Sequence, residues 1–321
     1  MNIDGYTVMA DTVSKFFNTV RVSGWFHHPD DPLVAIAVLG TPVIGCISRI
    51  GIPHGGVSAL GPDKGFEIQF LRPEEPLDDG VSLAFTTRSG WSGAVRLHDL
   101  AADRISHYPG TALVNRFRTE ITAMPNARLL DIGGRARSQL DRSQQFPGVA
   151  VTVLDILPGD NVDVVADAHA LAGSFPPDHF DAVFSVSVFE HLMMPWAVVP
   201  QMNRVMRVGA LALISTHQTI GMHDMPWDFW RFSDTAWDAL FNARTGFEIV
   251  DRILESEQYV IPFVYRPIKA WAERAAGYEG SAVLARKIGP CTMSWPVTPD
   301  QLVSTMYPSG TEDPFARKDT A

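Results

Sequence analysis

The chain has 321 residues, 46% hydrophobic and 19% charged, enough to bury a core and more than one average domain needs. Its formal net charge of −10 argues against nucleic acid as a partner, because holding phosphates requires a basic face. The two cysteines, Cys46 and Cys291, lie too far apart in sequence for a metal motif and are too few for a disulfide scaffold, which points to a reducing cytoplasm.

The N-terminal run MNIDGYTVMADTVSKF lacks the basic-then-apolar order of a signal peptide. The most apolar stretch, Leu33 to Ile47, is broken by Gly40, Pro42 and Gly45 and is too short to span a bilayer. A soluble protein with no membrane span is expected. From Tyr6 to Leu97, short β-favouring runs such as VRVSGWF, LVAIAVL, GFEIQFL and VSLAFTT alternate with the turn clusters HHPDDP, GPDKG and PLDDG. Short, regularly spaced strands of this kind predict a β-sandwich or small barrel over residues 1–100. Leu100 to Met124 reads as helical, closed by Pro125-Asn126. Strand-like runs then alternate with amphipathic stretches through residues 101–290, the pattern of a parallel sheet covered by helices. Residues 291–321 read as a C-terminal extension whose last dozen residues, GTEDPFARKDTA, form a polar, mobile tail.

Within 101–290 four features follow one another. In ARLLDIGGRARSQL, a strand over Arg128 to Ile132 ends in Asp131, then Gly133-Gly134 and a helix. Glycines there let the backbone turn tightly and approach a ligand, and the acid can bond an amine such as that of an amino-acid moiety. VAVTVLDIL is a second strand ending in Asp155, placed to accept both ribose hydroxyls of an adenosine. NVDVVADAHAL supplies Asp167, placed for an adenine amine. Each acid alone reads equally well as a helix cap or turn residue, but three in succession at strand ends argue for a nucleoside site. The fourth feature spans residues 179–218: a strand over Phe180 to Val186, a Glu190-His191 turn, a helix over Pro195 to Met206 with proline in its first turn, a Val208-Gly209 break and another strand.

With these residues the chain resembles the class I methyltransferases that use S-adenosyl-L-methionine (SAM), in particular the subgroup whose fourth motif runs FDxVxxxxVxEHxxxPW. The resemblance implies an α/β fold with a Rossmann-like seven-stranded sheet, its one antiparallel strand near Ser281 to Lys287, preceded here by the sandwich-like N-terminal domain. It implies a cofactor-binding set of Asp131, Ile132, Gly133, Gly134, Arg135, Asp155, Ile156, Asp167, Ala168 and Ser185. The chain departs from the family at its first motif, usually D-x-G-x-G-x-G. Arginines stand at 135 and 137 where the second and third glycines are expected, so the loop should take another path with Arg135 at the cofactor rim. A nicotinamide-dependent oxidoreductase is disfavoured, because it needs G-x-G-x-x-G after its first strand.

The run HQTIGMHDMPWDFWRFSDTAWDALF, residues 217–241, resembles the H-x-x-P-x-D-x-W-R-F segment of methyltransferases associated with bacterial glycans. Its rings and carboxylates suit a sugar, whose C–H faces stack on aromatics while its hydroxyls bond acids. The expected acceptor-binding residues are Glu190, Asp224, Trp227, Asp228, Trp230 and Arg231; the competing expectation is that Trp230 and Phe232 are core and that Asp228 pairs with Arg231. A hydroxyl acceptor must lose a proton, and His191 and His223 are the candidate bases. His217, His223 and Asp224 match no strong metal motif, so no metal is expected. In the N-terminal part, VRVSGWFHHPDDPLVAIAVLG resembles β-sandwich modules attached to some glycan-modifying enzymes. Trp25, His27, His28 and Trp91 would then meet carbohydrate or a partner, unless the tryptophans fill the core; the apolar strands could also form a homodimer interface. The expected function is methyl transfer to a hydroxyl of a saccharide or other hydroxylated small molecule. The alternative is a non-catalytic scaffold with a degenerate cofactor loop.

Overall fold

The computed structural model describes residues 1–73, 80–107, 109–135, 142–260 and 275–302. The rest of the first-motif loop, including Ala136 and Arg137, and the expected C-terminal tail lie outside the described residues. The chain divides into two compact units, Met1–Tyr108 and Pro109–Ala321.

The first unit is mostly β. One antiparallel sheet has the order β1 (Asn2–Ile3), β2 (Tyr6–Phe16), β3 (Thr19–His27), β6 (Gly65–Leu71), β5 (Gly45–Ile52); a second has the order β4 (Leu33–Leu39), β7 (Ser82–Thr87), β8 (Ser92–Arg96). Alternation decides what is buried: along β3, Val20, Val22 and Phe26 face inward while Trp25 falls on the other face. Val8, Val22, Phe66 and Ile68 of the first sheet and Ile36, Leu83 and Phe85 of the second share one core. Trp91 packs against that core and stacks on Tyr6, ring centroids 3.9 Å apart. The helix expected over Leu100 to Met124 is two helices, α1 (Leu97–Ser106) and α2 (Pro109–Thr122), and the boundary between the units falls between them. α1 adds Leu97 and Leu100 to the core of the first unit.

The second unit is built on a seven-stranded sheet of order β11 (Val164–Val165), β10 (Ala150–Asp155), β9 (Arg128–Ile132), β12 (Phe180–Val186), β13 (Met206–His217), β15 (Ala275–Lys287), β14 (Phe247–Tyr259). β9 to β13 pair in parallel, whereas β15 runs antiparallel to both neighbours and contains the segment expected to do so. The strands are apolar on both faces, as a covered sheet requires. Leu130, Val183 and Ile214 face a core completed by α5 (Pro195–Val205) and α6 (Ala236–Leu240), while Leu129, Phe184 and Leu213 face Leu113, Phe117 and Ile121 of α2. α3 (Arg142–Gln145) and α4 (Leu171–Ser174) are single turns. The break expected at Val208-Gly209 is a bulge inside β13. The register jumps from Phe180–Met206 to Ala182–Leu211, and Gly209 takes φ +88 there. The order reverses at β9, where β10 and β12 leave on opposite sides, so a crevice opens beyond the carboxyl ends of these strands.

Candidate active site

That crevice is occupied by a cavity lined by Gly133, Arg135, Asp155, Ile156, Asp167, Ala168, His169, Ser187, Val188, His191 and Trp227, among others. The loop after β9 closes its floor. Gly133 has φ +77, and a Cβ there would stand 2.2 Å from Val188 Cγ2, so only glycine fits between the two loops. Its amide donates to the Leu154 carbonyl at 2.7 Å, and Asn161 Nδ2 donates to the Gly134 carbonyl at 2.8 Å, so the loop is pinned to β10 and to the segment after it.

The three strand-end acids occupy different positions. Asp131 is buried beneath the glycines: a Cβ on Gly134 would lie 2.3 Å from Asp131 Oδ2. Neither Asp131 nor Gly134 is among the residues lining the cavity. Asp155 lines it directly; its Oδ1 accepts the Leu157 amide at 2.9 Å and lies 3.5 Å from Arg135 Nε. The arginine at the second-glycine position therefore turns across the cavity toward the acid expected to hold ribose. Asp167 Oδ1 accepts the His169 amide and lies 2.7 Å from His169 Nδ1. His169 Nε2 accepts the Met194 amide, so its hydrogen is on Nδ1 and is donated to Asp167. Burial pushes the Asp167 carboxyl up, but the bonds from His169 outweigh it and hold the group below its ordinary value.

Ser185, expected among the cofactor residues, is fully buried, and its hydroxyl donates to the Ile132 carbonyl at 3.0 Å, tying β12 to β9. Ser187 and Val188 line the cavity in its place. Ser187 has φ +55, so the chain turns there over the strand end. His169, Leu192 and Ala166 also line the cavity and were not singled out from sequence. A histidine and small apolar residues carry no pattern that marks them.

Beside the cavity the turn after β12 meets the loop after β13. Glu190 has no exposed surface; its Oε2 accepts the Thr216 hydroxyl, and His217 Nε2 lies 3.0 Å from Oε1. Burial pushes this carboxyl up, but His217, Thr216 and the nearby His191 prevail and keep it ionised. His191 Nδ1 donates to the Trp227 carbonyl at 2.7 Å, which leaves Nε2 as the acceptor facing Glu190 and Asp224. Burial lowers the His191 pKa despite the neighbouring Glu190, so the ring is neutral at pH 7. The His223 ring lies 4.9 Å from that of His191 and 5.2 Å from that of His217, centroid to centroid. The ligand atoms of Glu190, His191 and His223 all fall within 4.8 Å of one another.

The other expected acceptor residues divide into two groups. Asp228 and Arg231 face each other in a bidentate ion pair of 2.6 and 2.8 Å, and the Asp228 side chain is 1% exposed. Arg231 also donates to the carbonyls of Ile220 and Gly221, so this pair braces the loop. Trp227 is buried and lines the cavity, Asp224 is partly exposed, and Trp230 is 37% exposed with its indole N–H on the Leu192 carbonyl. The amides of Phe229 and Trp230 both donate to the Glu190 carbonyl, which fixes this loop against the Glu190-His191 turn.

Residues 130–214 match the family model described as a methyltransferase domain. This stretch of the second unit, from β9 into β13, is similar to a methyltransferase domain. Its cofactor is SAM, and the cavity at the strand ends has Asp155 and Asp167 in its wall. None of the curated proteins matches the chain. Similar solved structures include a SAM-dependent methyltransferase from Archaeoglobus fulgidus, 17% identical over 55% of this chain and 94% of that one, TM-score 0.40. Another comes from Aquifex aeolicus, 13% identical over 58% and 93%, TM-score 0.39. A third is the 1,6-didemethyltoxoflavin-N1-methyltransferase of Burkholderia thailandensis with bound 1,6-didemethyltoxoflavin and S-adenosylhomocysteine, 16% identical over 67% and 99%, TM-score 0.39. Among the described residues no helix is long and apolar enough to cross a membrane.

Proposed function

We propose that the protein transfers the SAM methyl group to a hydroxyl of a saccharide or similarly hydroxylated small molecule in the cytoplasm. The observation that carries this reading is the convergence of Glu190, His191 and His223 at one edge of the cofactor cavity. The sulfonium methyl is already electrophilic, so the domain has two tasks: to align an acceptor oxygen with it and to provide for the proton that leaves. A buried carboxylate and two imidazoles answer the second task. Asp224 and the half-exposed rings of Phe229 and Trp230 offer a carboxylate and stacking faces to a polar ring, in keeping with the glycan-associated motif of this loop.

Ile132, Gly133, Arg135, Asp155, Ile156, Asp167 and Ala168, which line the cavity, are assigned to the cofactor, with Asp131 buried beneath their loop, and Glu190, Asp224, Trp227 and Trp230 to the acceptor. The first unit is read as a sandwich that brings the glycan or a second copy of the chain. One observation favours the non-catalytic alternative, namely the guanidinium of Arg135 beside Asp155. Calorimetric titration with SAM, followed by transfer of labelled methyl to a panel of saccharides, separates the two. SAM binding with a labelled sugar supports the proposal. SAM binding with label only on non-hydroxyl acceptors overturns the acceptor class, and no SAM binding favours the scaffold.

A further inference from the structure

Ligand atoms of three side chains, Glu190, His191 and His223, converge within 4.8 Å of one another. Nδ1 of His191 lies 2.7 Å from the Trp227 carbonyl, and Nδ1 of His223 lies 3.1 Å from the Gly221 carbonyl. A carbonyl oxygen can only accept, so both rings carry hydrogen at Nδ1 and keep a lone pair at Nε2. The two Nε2 atoms stand 3.7 and 3.9 Å from Glu190 Oε1. That oxygen belongs to a fully buried side chain, and His217 Nε2 also lies 3.0 Å from it, which leaves further lone pairs on the carboxylate for an ion. Histidines whose outer N–H is donated to backbone carbonyls are oriented as metal-ligating histidines are, and a buried carboxylate oxygen aimed at their inner nitrogens supplies the anionic ligand.

We propose that Glu190, His191 and His223 bind a divalent transition-metal ion, and that the acceptor hydroxyl takes one of its open positions. Two imidazoles and one carboxylate favour ions such as Zn²⁺, Fe²⁺, Co²⁺ or Mn²⁺ over Mg²⁺ or Ca²⁺, which prefer oxygen. Metal–ligand bonds of about 2.0–2.2 Å require the donors to draw together, and the His223 side chain is a third exposed. Asp224 Oδ2 lies 3.9 Å from His191 Nε2 and is partly exposed.

The inference rests on the reading of the acceptor as a hydroxyl, and it refines the role of the histidines. A metal-bound hydroxyl is more acidic than a free one. Its proton passes to the Asp224 carboxylate and from there to water. The oxygen lone pair then forms the O–CH₃ bond, the S–CH₃ bond breaks, and its electron pair stays on sulfur as S-adenosylhomocysteine leaves. The histidines hold the ion and Asp224 takes the proton.

The test is calorimetric titration of the chelator-treated full chain with Co²⁺ alone, in the absence of SAM and acceptor. One Co²⁺ per chain is expected, weakened about tenfold or more by Glu190→Gln and by His223→Ala and unchanged by His98→Ala on the exposed surface of the first unit. Absence of binding, or binding that survives both substitutions, overturns the proposal. Should a variant fail to fold, the wild-type chain still decides: its Co²⁺ complex must show the intense visible bands of a nitrogen-ligated site with fewer than six ligands. The weak spectrum of the aquo ion would refute the proposal. Because this readout involves neither cofactor nor acceptor, its failure is separable from failure of methyl transfer.

Discussion

The backbone amide of His223 donates to the Asp228 carboxylate at 2.9 Å, while the same carboxylate holds the Arg231 guanidinium through both its oxygens. Burial raises the Asp228 pKa, but Arg231 and the His223 amide outweigh it and keep the group ionised. The orientation of His223 over Glu190 thus depends on an ion pair inside its own loop. Asp228→Ala removes the acceptor of three hydrogen bonds and leaves Arg231 half-buried without its partner. It should destabilise the second unit by about 1–3 kcal/mol and lower turnover as His223 drifts. Thermal unfolding and steady-state rates measured together check this; full activity with an unchanged melting point would show that the loop is held by other contacts.

Gly133 is the position of the cofactor loop that tolerates a side chain least. Gly133→Ala meets both φ +77 and a Val188 methyl at 2.2 Å. The expected result is a loss of about 1–3 kcal/mol of stability with SAM binding weakened in parallel, and partial recovery in the double variant with Val188→Ala. A single variant that binds SAM normally would mean that the loop has another accessible path.

Asp155 accepts the Leu157 amide through Oδ1 and lines the cavity. Asp155→Ala should weaken SAM by about 1.5–3 kcal/mol, the worth of a charge-assisted contact to the ribose diol. Titration calorimetry on the variant is the check, and unchanged affinity would move the ribose elsewhere. Arg135→Ala belongs in the same series: tighter SAM binding would show that the arginine competes for Asp155, and weaker binding that it contacts the cofactor.

Asp31 gives the first unit its pH dependence. It is buried and accepts hydrogen bonds from Tyr6, from the Thr87 and Ser89 hydroxyls and from the Ser89 amide. Burial pushes its pKa up, but the four donors prevail and hold it far below the carboxylate range. The folded value thus lies under the unfolded one, about 3.9. The stabilisation is fully present above that unfolded value and is lost as pH falls from it toward the folded pKa. Asp31→Asn should be less stable at pH 7 and should show a smaller loss between about pH 4 and pH 2. Denaturant unfolding across that range tests the sign.

Where the sequence was legible, strong periodicity or a steric requirement made it so. The strands of the second unit alternate with helices, and β9 and β12 fall on the residues their apolar runs mark. Asp155 and Asp167 fall in the cavity wall, because an acid just after such a strand has few places to go. Ser185 was not: whether a strand-end serine faces a ligand or a neighbouring carbonyl depends on strand register, and here it bonds Ile132. The Asp228–Arg231 pair was visible as spacing, but spacing alone does not say whether a carboxylate serves a ligand or its own loop. Glu190, His191 and His223 were each marked as site residues, but their mutual approach was not: the Glu190-His191 turn follows β12 and His223 follows β13, and only the pairing of those strands brings them together.

Substitution of the two histidines tests the acceptor side directly. His191 lines the cofactor cavity and His223 does not, although both aim Nε2 at Glu190. His223→Ala should therefore lower turnover by about 10²–10⁴-fold, whether its ring takes the acceptor proton or holds the ion that acidifies the acceptor hydroxyl, with SAM affinity nearly unchanged. His191→Ala should lower turnover to a similar extent and also weaken SAM, because its ring forms part of the cavity wall and its Nδ1–H anchors the Trp227 carbonyl. Single-turnover rates and SAM titrations on both variants separate these effects. If His223→Ala weakens SAM as much as His191→Ala does, the loop after β13 serves the cofactor and not the acceptor. If both variants retain full turnover on the true acceptor, alignment alone carries the reaction and the cluster has no part in the chemistry.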